Sequence, residues 1–149
     1  MNYHELVQAY FERSRALSWY WTVYIAVIGG ILAFSLFRFQ KDLPRTILIT
    51  LLYAGFAWKN LGAIEATTLE REAFLSAMKD YRPAQSEAVD VKRVRERLEP
   101  TLQPSSVADV RYFHLACDLL TIVALWVREW RRPNSASTIS AAQLGRPSA

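Results

Sequence analysis

Arg111, His114 and Asp118 recur at i, i+3 and i+7, so a helix through them carries all three on one face, and Thr121 continues it. The surrounding run from Tyr112 to Val127 is otherwise apolar. Ionisable side chains in such a run mark proton or ion pathways, or structural ion pairs, because a bilayer penalises an isolated charge. Two further groups are expected at similar depth. Lys59 closes the preceding apolar run, and Tyr24 stands a short way into the first one. At about 1.5 Å of rise per residue, Asp118 lies roughly 10 Å inside Arg111, and Tyr24 falls at a comparable level. The expected site is therefore an intramembrane polar cluster of Tyr24, Lys59, Arg111, His114 and Asp118. Lys59 is the expected cation for Asp118, with His114 assisting.

Other chemistries are poorly served. His114, Cys117 and Asp118 on one turn make a weak metal set, and the only other histidine is His4. Catalytic triads, phosphate-binding Gly-rich loops, HExxH and paired-cysteine zinc spacing do not occur. No metal, cofactor or enzymatic activity is expected. A single cysteine permits no intrachain disulfide. The basic run Lys92–Arg97 interleaves acidic and apolar residues without base-stacking aromatics, so no nucleic-acid partner is expected.

The elements that must position these residues follow from how charge and apolarity are segregated. The chain has 149 residues, 52% hydrophobic and 21% charged, with a net charge of +4. Leu17–Phe37 contains no charged residue, long enough for a helix across a core of about 30 Å. Trp19, Tyr20, Trp21 and Tyr24 gather near one end of that run as an interfacial belt would, while Arg38 and Lys41 close the other. Asp42 followed by Pro44 predicts the start of a second helix. Its apolar run Thr46–Trp58 is short but flanked by Arg45 and Lys59, whose stems can snorkel outward. Ser106 with Asp109 predicts a third start, and Pro133 an end.

The predicted protein is thus all-α: an integral membrane protein with three transmembrane helices. Residues 1–16 form an amphipathic interfacial helix, capped by Asn2 and Glu5. Residues 17–64 form a transmembrane hairpin, 65–106 a charged, water-exposed helical arm, 107–132 the third transmembrane helix, and 133–149 a disordered tail. No cleavable signal peptide is expected, since the leader carries Glu5 and Glu12 and no small-residue cleavage site follows the apolar run. A multi-pass location in a plasma or bacterial inner membrane follows.

Ala26, Gly29, Gly30 and Ala33 set small residues four apart on the first span, and Gly55 lies in a looser set on the second. Such faces let helices approach closely in lipid. The expected contact is inside the hairpin, or else against another copy or another protein. The expected function is a non-catalytic subunit or scaffold of a membrane complex, in contact with the bilayer and with a protein partner or itself. The alternative is a homo-oligomeric channel or pore lined by His114, Asp118 and Thr121.

Overall fold

A computed structural model describes residues 2–84, 88–102 and 106–133, and these are all-helical or irregular. Helix α1 runs Tyr3–Phe37, α2 Leu43–Asp80, α3 Ala88–Leu98 and α4 Val107–Trp130, with a 3₁₀ turn at Glu99–Thr101 after α3. Three of them, α1, α2 and α4, are long and apolar enough to cross a membrane. The predicted tail lies outside the described residues, apart from Pro133.

The helix boundaries are set by the caps. Asn2 and Glu5 bond reciprocally, Glu5 N–H to Asn2 Oδ1 at 2.8 Å and Asn2 N–H to Glu5 Oε2 at 2.9 Å. Asp42 Oδ1 accepts the Arg45 N–H at 3.2 Å, and Ser106 Oγ accepts the Asp109 N–H at 3.1 Å.

The chain divides into two compact units, one of Met1–Val23 with Lys59–His114, the other of Tyr24–Trp58 with Leu115–Ala149. In the first unit, Tyr3, Leu6 and Tyr10 of α1 form a buried cluster with Leu75 and Met78 of α2 and Val91 of α3. Arg71 Nη2 donates to the Tyr10 hydroxyl at 2.9 Å, and its guanidinium sits 5.1 Å from the centre of that ring. Arg95 of α3 donates to the carbonyls of Met78 at 2.7 Å and Tyr81 at 2.9 Å, so a cation satisfies the end of α2.

This corrects the expected leader. Residues 3–16 are not a separate interfacial helix but the first turns of α1, which is continuous for 35 residues. No glycine or proline interrupts the junction, and the apolar stripe that would have met lipid is taken up by α2 and α3.

In the second unit, α4 closes the ends of the other two helices. Arg128 Nε donates to the Ser35 carbonyl and Nη2 to the Leu36 carbonyl, both at 2.9 Å. Arg132 donates to the Ser35 carbonyl, and through Nε to that of Arg38 at 3.2 Å. A helix leaves its last carbonyls without intrahelical donors, and here Arg128 of α4 and Arg132, two residues past its end, supply them.

Candidate functional site

The polar cluster divides between the two units. In the second unit, the inward face of α1 carries Tyr24 and that of α2 carries Tyr53, both buried. Both hydroxyls donate to the same oxygen, Asp118 Oδ1 of α4, at 2.9 Å and 2.7 Å. One carboxylate thereby ties three helices, with two phenols replacing the solvation it would lose on burial. Thr121, one turn further on, is buried and donates to the Cys117 carbonyl at 2.8 Å.

In the first unit, His114 is wholly buried, 3.3 Å from Asn60 Nδ2 through Nε2, with the Trp21 ring 5.9 Å away. Arg111 lies further out and pairs with Glu65, Nε to Oε1 at 2.6 Å and Nη2 to Oε2 at 3.1 Å. That is the bidentate geometry of a guanidinium on a carboxylate.

Lys59 is the correction. Its side chain is exposed, and Asp118 takes tyrosine hydroxyls where an ammonium was expected. The inward face of α2 runs through Tyr53, Ala57, Asn60 and Ile64. Lys59 is one residue before Asn60, so it points about 100° away from that face. Residue counting along the chain leaves that direction open.

The small residues are a second correction. Ala26, Gly29, Gly30, Ala33 and Gly55 are all exposed, and a Cβ at Gly29, Gly30 or Gly55 would meet nothing within 4 Å. Packing inside the hairpin is therefore not their role. Ala26 follows the inward Tyr24 by two residues, about 200° round the helix, which turns the stripe to the outside.

The residues missed by inspection of the sequence form a further polar network. Glu129 is wholly buried and accepts the Asp42 backbone N–H at 2.6 Å. Arg132 bonds the same carboxylate, and Arg38 Nη2 stands 3.9 Å from it. Arg38 also donates to Thr46 Oγ1 at 3.1 Å and to the Asp42 carbonyl at 3.2 Å. The signal was present: an acid among three arginines at a helix end, at a spacing that returns Glu129 and Arg132 to one face.

Among the described residues, no three of His, Cys, Asp and Glu come together as a metal site. No protein family, curated protein or solved structure matches the chain.

Proposed function

We propose that α1, α2 and α4 cross a membrane and that the protein is a non-catalytic subunit or scaffold, joined to its partner through helix faces within the bilayer. The observation that carries this reading is how the buried polar groups are used. Asp118 binds Tyr24 and Tyr53, Glu129 binds the Asp42 N–H and Arg132, and His114 meets Asn60. Each holds one helix to another. The surfaces left for a partner are apolar: Ile25, Leu51, Leu52, Leu119 and Leu120 are each about two-thirds exposed. In water such faces would drive aggregation, whereas in lipid they need no cover. Beside them, the outward face bearing Gly29 and Gly30 admits close backbone approach by another helix.

A pore between copies would need its polar lining on an outer face. His114 and Thr121 are buried within a single chain, which supports the scaffold over the channel. The test is mass and co-purification of the full chain from its native membrane in mild detergent, beside Gly30→Ile. Expected is a larger assembly containing an unlike protein, which Gly30→Ile dissociates without changing the melting temperature of the chain. A symmetric homo-oligomer whose ion flux in liposomes is lost in Asp118→Asn would overturn the scaffold in favour of the pore.

A further inference from the structure

The turn between α1 and α2, besides the contacts of Arg38 and Asp42 with the end of α4, presents an open cationic surface. Residues 38–45 enclose a cleft of about 660 Å³ lined by three cations, Arg38, Lys41 and Arg45, and by the apolar side chains of Phe39, Leu43 and Pro44. Asp42 is the one acid in its wall. It is engaged by Arg45 Nε at 3.2 Å and lies 3.9 Å from Arg38 Nη2, which also stands 3.9 Å from the Glu129 carboxylate, so three cations are offset in part by Asp42 and, at Arg38, by Glu129. Arg38 is nearly buried at 10% exposure and held in place by Thr46 and the Asp42 carbonyl. Phe39 is 82% exposed, and Leu43 is also exposed. Fixed cations beside uncovered apolar side chains match a molecule with an anionic head and a hydrocarbon body.

The charge of the whole chain is concentrated at this end. Residues 1–16 and 59–111 contain 11 Lys and Arg against 11 Asp and Glu, and are neutral in sum. Segments 38–45 and 128–132 contain six Lys and Arg against two acids. Short basic segments at the ends of spans face the leaflet richest in anionic lipid.

We infer that the cleft of Arg38, Lys41 and Arg45 binds the phosphodiester headgroup of an anionic phospholipid, with Phe39 and Leu43 against its acyl chains. This rests on the reading of α1, α2 and α4 as membrane spans. Arg45, whose side chain is exposed, offers a fork-shaped donor for phosphate oxygens, Lys41 adds a point charge, and Arg38, held by Thr46 and the Asp42 carbonyl, adds its charge from behind.

The full-length protein, delipidated and then offered phosphatidylglycerol or phosphatidylcholine, tests this by native mass spectrometry of the retained lipid. Expected is selective retention of phosphatidylglycerol. It should weaken about thirtyfold in Lys41→Gln/Arg45→Gln, from about 1 kcal/mol per surface cation removed. Arg93→Gln/Arg97→Gln in α3 makes the same change in net charge at exposed positions and should leave retention unaltered. Equal weakening in both double variants, or no headgroup preference in the parent, would overturn the site. Displacement of the lipid by millimolar inorganic phosphate would show a free-anion site and overturn it too. Carbonate extraction separates the underlying premise. A parent chain released from vesicles by carbonate refutes the spans themselves, while a resistant chain without lipid preference refutes only the cleft.

Discussion

Glu129 accepts the backbone N–H of Asp42 at 2.6 Å although 87 residues separate them. The contact joins the end of α4 to the residue that caps α2. The same carboxylate holds Arg132, which in turn donates to the last carbonyls of α1. Three helix ends meet on one buried anion.

Removing that anion should be costly. Glu129→Ala leaves Arg132 buried without its counter-charge and an N–H without its acceptor, and such losses are worth about 3 kcal/mol or more. Glu129→Gln keeps an acceptor for Asp42 and should fall between the two. Thermal unfolding in detergent, followed by the fluorescence of the five tryptophans, reads the order. Equal stability of Glu129→Ala and the parent would remove the clamp as a source of stability.

The paired phenols on Asp118 should behave as a unit. Tyr24→Phe and Tyr53→Phe each delete one donor and should cost about 1 kcal/mol. The double variant should cost more than the two together, because the carboxylate then loses both phenol donors at once. Adding Asp118→Asn to the double variant should recover part of the loss by removing the charge. A strictly additive cycle would mean that the two hydroxyls act independently.

Lys59→Met separates the observed arrangement from the ion pair expected at first. With Lys59 exposed, its replacement should change stability by no more than about 0.5 kcal/mol. A loss comparable to that of Asp118→Leu would restore the ion pair.

Single cysteines introduced at Gln40 and Ala84 in a Cys117→Ser background test the crossing. Both positions are exposed, and three spans put them on opposite sides of the membrane. Labelling of both by the same impermeant reagent in sealed, uniformly oriented vesicles would rule the topology out.

What the sequence made legible was mostly one-dimensional. The charge-free run before Arg38, the caps at Asn2, Asp42 and Ser106, and the level shared by Tyr24 and Asp118 can all be counted along the chain. Direction around a helix is harder, because it depends on which face a neighbour occupies. Lys59 and Ala26 escaped for that reason: one lies about 100° and the other about 200° from an inward residue whose orientation only packing decides. Glu129 escaped for a different one. Among Arg128, Arg131 and Arg132 it looks like ordinary charge at the end of a span, and its partners, Asp42 and Arg38, lie nearly 90 residues earlier.

The donors that complete α1 belong to Arg128 and Arg132, and Arg128 follows Ser35 by 93 residues. At roughly 5–20 residues per second, a ribosome needs about 5–20 s to make that stretch. Through that interval the first hairpin exists with the carbonyls of Ser35 and Leu36 uncapped. Until Arg128 and Arg132 emerge, those carbonyls must take their hydrogen bonds from water instead.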